Sequence, residues 1–129
     1  MIIDDVTTGA LVGALRGTLA RHRALTQNLA NADTPGYQRV DVAFETSLAR
    51  AVETDRARGV GMGGTAGDSA LAAFTPATEA TSSSAVRVDG SNVDADNELA
   101  QLSANQLTYQ TVVGLLDKKF ARIRTAITS

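Results

Sequence analysis

The last third of this chain carries an uninterrupted heptad. Leu99, Leu102, Gln106, Tyr109, Val113, Leu116, Phe120, Ile123 and Ile127 alternate spacings of three and four. A seam of this kind buries itself only against another helix. Near the other end, Leu11, Leu15, Thr18, His22, Leu25, Leu29 and Ala32 repeat the alternation more weakly. The helical patterns therefore lie at both ends, with the weakest sequence between them. The two ends suit each other, copies of themselves or a neighbouring protein, which points to an assembly part rather than a catalyst.

Composition sharpens this. The 129 residues are enough for one domain, but only 4% are aromatic and none is Trp. The 43% hydrophobic share is inflated by Ala, which buries little area. A thin core is expected, with much of the stability coming from helix pairing or from partners. The net charge of −2 leaves no nucleic-acid footprint. Cysteine is absent, which excludes disulfides, thiolate catalysis and cysteine metal sites. No apolar run approaches the roughly 20 residues of a bilayer span. The start, MIIDDVTTGA, shows neither a basic region nor a long apolar one, so no cleaved secretory signal is expected.

Residues 8–31 read as the first helix, capped by Thr7 or Thr8. Its charges, Arg16, Arg21 and Arg23, are all basic. Gly9, Gly13 and Gly17 share one face, and each costs about 1 kcal/mol against Ala in a helix. The stripe is read as a site of close approach by a packed neighbour, against the alternative of a frayed helix start.

The helix stops at Asn31-Ala-Asp-Thr-Pro-Gly-Tyr37. Pro35 disfavours helix at Thr34, and Pro-Gly is the signature of a type II turn with positive φ at Gly36. Beyond it, Val40, Val42 and Phe44 would share one face of an extended segment. A short helix is expected over 44–58, with Phe44, Leu48 and Val52 in helical register. Residues 57–85 are rich in Gly, Ala, Ser and Thr, with few large side chains (Val60, Met62, Leu71, Phe74). They read as a long flexible loop or linker that orders only in an assembly. Its GVGMGG run lacks the Lys of a phosphate loop. A strand over 85–90, ending in an Asp-Gly turn, is expected to pair with 40–44. The C-terminal helix is expected over 95–127, about 50 Å long, with Asp94 or Asp96 as its cap. Acids at its start and Lys118, Lys119, Arg122 and Arg124 near its end both suit the helix dipole.

The expected fold is therefore mainly α: terminal helices packed as a coiled-coil-like hairpin around an irregular or small-β middle. It divides into 1–36, the N-terminal helix and turn; 37–93, the extended middle; and 94–129, the heptad helix. Catalytic, cofactor and metal sites are not expected. His22 is the only histidine and has neither a ligand partner at helical spacing nor a nucleophile to serve. Asp89, Asp94, Asp96 and Glu98 lack the spacing and glycine of a calcium loop. Gln106 and Tyr109 are the seam positions that are not simply aliphatic, and a polar seam residue sets register and partner choice.

Two stretches carry a family likeness. Asn28-Leu-Ala-Asn-Ala-Asp-Thr-Pro-Gly-Tyr37 resembles the junction motif of the bacterial flagellar rod, hook and hook-associated proteins. Family members also end in a heptad helix. The Thr-Pro-Gly-Tyr form followed by Val40-Asp-Val-Ala-Phe44, with Asn105-Gln-Leu-Thr-Tyr-Gln110 and Leu116-Asp-Lys-Lys-Phe-Ala-Arg122, looks most like the proximal-rod branch. The matching parts cover about half the chain; the middle matches nothing familiar. The resemblance implies a non-enzymatic subunit of the periplasmic shaft that transmits motor torque, exported unfolded through the flagellar type III apparatus. It implies copies of itself, sibling rod subunits such as FlgC, the adapter FliE and the export gate as partners. The seam residues would be Leu11, Leu15, Leu25 and Leu29 with the C-terminal heptad; the junction residues would be Asn28, Asn31, Thr34, Pro35, Gly36 and Tyr37. The competing readings are a FlgC-like sibling, or a coiled-coil adaptor or export chaperone that never polymerises.

Overall fold

The computed structural model describes residues 5–59, 69–81 and 86–128. Three helices and one short ladder occur in the order α1 (Val6–Ala30), β1 (Val40–Asp41), α2 (Glu45–Ala57), β2 (Glu79–Ala80) and α3 (Ala95–Thr128). α1 and α3 run antiparallel along each other: Asp5 meets Lys119, the Thr18 carbonyl meets Asn105, and Asn28 meets Glu98. This is the terminal hairpin expected from the two heptads.

α1 starts two residues earlier than the sequence implied. The cap is Asp5, whose carboxylate accepts from the Thr8 amide at 2.7 Å, rather than Thr7 or Thr8. The same carboxylate is bound by Lys119 Nζ at 2.6 Å, which ties the cap to α3. Burial would raise the Asp5 pKa, but the Lys119 and Thr8 bonds outweigh it and hold the carboxyl below its usual range. At the start of α3 the cap is Asp94, which accepts from the Asp96 and Asn97 amides.

The glycine stripe of α1 is a packing groove. A Cβ added at Gly9 would lie 3.0 Å from Leu71, at Gly13 2.5 Å from Leu48, and at Gly17 2.2 Å from the Phe44 ring. These large side chains sit where an alanine helix would have its methyls, so α1 is flanked by the middle segment on one side and by α3 on the other. Val42 and Phe44 join Ala24 and Phe74 in the core cluster, with Val40 and Leu48 against it. The shared face of 40–44 is thus realised. Arg21 fastens this layer: it donates twice to the Val42 carbonyl, pairs with Glu45 at 2.7 Å, and lies 4.6 Å over the Phe44 ring. The core is thin, as expected, and its largest members are Leu25, Leu71, Phe44 and Phe74.

Two expectations for the middle fail. β1 pairs antiparallel with β2, Val40 opposite Ala80 and Asp41 opposite Glu79, and not with 85–90. The described part of that segment, 86–90, instead ends in a turn: Gly90 has φ +83° and its amide donates to the Arg87 carbonyl, with Val86 and Val88 exposed. Nor are all of residues 57–85 without a place in the core: Leu71 and Phe74 are buried. The reason is Asp55. Its buried carboxylate accepts from Ser69 Oγ (2.7 Å) and from the Ala70 (2.7 Å) and Leu71 (3.0 Å) amides, folding 69–74 back onto α1. The GVGMGG run, apart from Gly59, lies outside the described residues.

Burial alone would raise the Asp55 pKa, but these donors outweigh it and hold the carboxyl below its ordinary value of 3.8. A depressed folded value means the contribution is complete above the unfolded value and is lost as pH falls through the folded one. Asp55→Ala is therefore expected to lower stability at pH 7 by about 2–3 kcal/mol, since it orphans a hydroxyl and two amides. Chemical denaturation across pH should show the gap between wild type and variant closing only in acid.

Candidate functional site: the junction and the α3 face

The junction turn forms as the sequence implies. Gly36 has φ +73°, and the Tyr37 amide donates to the Thr34 carbonyl at 3.2 Å, the pattern of a type II turn. Asn31 closes α1: its amide reaches the Gln27 and Asn28 carbonyls, and its side chain meets Thr34. Pro35 and Gly36 are exposed.

Asn28 is the centre of the junction. It is fully buried, and its amide group acts as a missing strand partner for Val40. Nδ2 donates to the Val40 carbonyl (2.7 Å), and Oδ1 accepts from the Val40 amide (2.9 Å). Nδ2 also reaches Glu98 Oε2 (3.0 Å), and Oδ1 accepts from the Tyr37 hydroxyl (3.1 Å). The buried Glu98 is paired in turn with Arg39, whose Nη2 donates to Gln101 at 3.1 Å. Asn92 completes the set, accepting from the Arg39 amide and donating to the Thr81 carbonyl. Burial pushes the Tyr37 hydroxyl pKa up, the Glu98 charge adds to this, and a bond with Gln27 opposes it. Burial disfavours the Arg39 charge, but Glu98 and Asp41 outweigh it and raise that pKa. One asparagine thus joins the end of α1, the turn, β1 and the start of α3.

The heptad of α3 is displaced from the face that meets α1. The row turned to α1 is Glu98, Asn105, Val112 and Lys119: the first three are buried and Lys119 is held by Asp5. Leu102, Tyr109, Leu116 and Ile123 flank this row and are half-buried. Of the other heptad positions, Val113 is also half-buried, whereas Leu99 (48%), Phe120 (43%), Ile127 (74%) and Gln106 are exposed in the isolated hairpin. The physical reason lies on α1. Its facing residues include Thr18 and Asn28, both fully buried, and their polar groups draw polar partners from α3. On α1, Leu25 is buried, and Leu11, Leu15 and Leu29 are half-buried. Register is therefore set by Glu98, Asn105 and Lys119, not by Gln106. These three recur every seven residues beside Val112, a period visible in the sequence but hidden from an apolar count.

His22 is half-buried beside a notch of about 90 Å³ that Thr18, Asn105 and Tyr109 also line. Asn105 Oδ1 is buried with no partner among the described residues. Among the described residues no acidic or histidine cluster fit for a metal occurs, and no helix is long and apolar enough to cross a membrane.

An antiparallel terminal hairpin, a junction turn and an unpaired apolar row on the longer helix together describe a part made to be packed into something larger. No family model matches the chain. It is similar to flagellar basal body rod protein FlgB of Bacillus subtilis (strain 168), at 31% identity over 99% of this chain and 98% of the relative. FlgB of Cereibacter sphaeroides is 34% identical over 96% of this chain and 94% of the relative. FlgB of Salmonella typhimurium is 37% identical over 78% of this chain and 80% of the relative. With identities above 30% sustained over most of both partners, the chain belongs to the FlgB family of flagellar basal body rod proteins.

Proposed function

We propose that this chain is a structural subunit of the proximal rod, polymerising through its terminal helices into the torque-transmitting axial shaft. The observation that carries this is the α3 row Leu99, Gln106, Val113, Phe120 and Ile127. It keeps a strict heptad yet lies off the face that meets α1. A heptad left open by its own hairpin is a seam for another helix, and each Leu or Ile it buries contributes about 1.5–3 kcal/mol. The role is mechanical, with no reaction assigned to any residue. Copies of itself and rod subunits such as FlgC would cover the row, with FliE and the export gate at the base of the shaft in the periplasmic space. The FlgB relatives favour this over a FlgC-like sibling and over a non-polymerising adaptor or export chaperone.

The test separates folding from assembly. Leu99→Asp combined with Phe120→Asp should leave the helical signal of the purified chain unchanged, because both side chains are exposed in the isolated hairpin. In cells it should abolish swimming, because burying two unpaired charges between subunits is costly. Normal motility in this variant would count against the reading. Leu116→Asp and Ile123→Asp should also block assembly, but they weaken the hairpin as well.

A further inference from the structure

The face of α1 turned away from α3 carries a groove of its own. At about 3.6 residues per turn, Arg16, Ala20 and Arg23 lie opposite Thr18, whose carbonyl meets α3. Between this face and residues 74–78 runs an open groove of about 550 Å³, with Leu19, Ala20, Phe74 and Pro76 as its apolar walls. Arg16 and Arg23 stand along it, about 10 Å apart on the helix.

Both guanidiniums are available to a ligand. Arg16 is anchored through Nη1, which donates to the Ala72 and Phe74 carbonyls at 3.3 and 3.5 Å. Its Nε and Nη2 make no bond among the described residues. Arg23 is exposed and makes neither an ion pair nor a hydrogen bond among them. The opposite wall is open main chain. Residues 75–78 run into β2 with neither helix nor turn, and no backbone amide or carbonyl among them is hydrogen-bonded to a described residue. The ladder ends at Asp41 and Glu79, so β1 does not pair with this run.

We propose that this groove docks an extended acidic segment of another protein. The main chain of the segment pairs with 75–78, and two of its carboxylates bind Arg16 and Arg23. The exposed Leu19 is covered by its remaining side chains. Arg16 is already positioned by its two carbonyl contacts, which lowers the ordering cost of binding. A nucleic acid would use the two charges but not the open main chain, and the net charge of −2 works against it. The groove lies on the far side of α1 from α3, so docking here is independent of what covers the α3 row.

Fluorescence anisotropy with the full chain tests this. The probe is a labelled peptide of about eight residues that alternates glutamate and threonine. Binding should saturate below about 1 mM and weaken as salt rises. The matching lysine–threonine peptide should not bind. N-methylation of the peptide amides keeps the charge and removes the main-chain donors, so it should weaken binding about tenfold. Arg23→Glu should weaken it as much, with an unchanged circular dichroism spectrum, because Arg23 holds no described residue. Arg16→Glu should also weaken binding, but it releases the 72–74 carbonyls as well. A glutamate peptide that does not saturate would overturn the proposal. So would equal binding by the lysine peptide, by the N-methylated peptide or to the Arg23→Glu chain. Tighter binding of a single-stranded oligonucleotide of equal charge would overturn it too, since the groove would then be a general polyanion site.

Discussion

Gly17→Ala should destabilise this protein by about 2 kcal/mol, even though the change improves helix propensity. The added methyl would sit 2.2–2.4 Å from three atoms of the Phe44 ring. A ring cannot yield like the end of a flexible chain. It must move as a body, and Phe44 is buried under Arg21 and joined to Val42 and Phe74 in the core. Overpacking of this kind costs about 1–3 kcal/mol or more, against a gain of up to about 1 kcal/mol from removing a helical glycine. Gly114 is the control. A Cβ there meets nothing within 4 Å, so Gly114→Ala should stabilise the isolated chain by up to about 1 kcal/mol. Thermal or urea unfolding of the two variants should give opposite signs. Equal stabilisation in both would mean that the middle segment does not pack into the α1 groove.

Asn28→Asp should have a still larger effect, about 3–5 kcal/mol, from a change of one atom. Nδ2 now donates to the Val40 carbonyl and to Glu98 Oε2. An oxygen in its place removes both bonds and sets a second carboxylate 3.0 Å from Glu98 in a site closed to water. One of the two acids would have to take up a proton, so the variant should recover part of its stability as pH falls. Urea denaturation at neutral and mildly acidic pH measures both effects. A variant as stable as wild type at neutral pH would show that the junction does not depend on this bond set.

Much of this architecture was legible in the sequence because it rests on local signals. The Pro35-Gly36 turn follows from proline and glycine stereochemistry, the α1 stripe from glycines at helical spacing, and the long α3 from its heptad. What was not legible rests on long-range polar pairs. Asp55 holds a loop fourteen to sixteen residues away, and no pattern in residues 57–85 announces that Leu71 and Phe74 reach the core. The displaced face of α3 is the instructive case. An apolar count finds the stripe a helix offers, but the hairpin is fixed by Glu98, Asn105 and Lys119, whose partners on α1 are polar. The apolar row and the polar row differ by one residue in register. The second holds the chain to itself.

The central claim is that this chain is a part of the rod. Cryo-electron tomography of basal bodies in a strain lacking the chain, alongside a swimming assay, tests it most directly. The account predicts membrane rings with no rod above the export gate, in non-motile cells, with both defects reversed by the wild-type chain. A complete rod in swimming cells would contradict it.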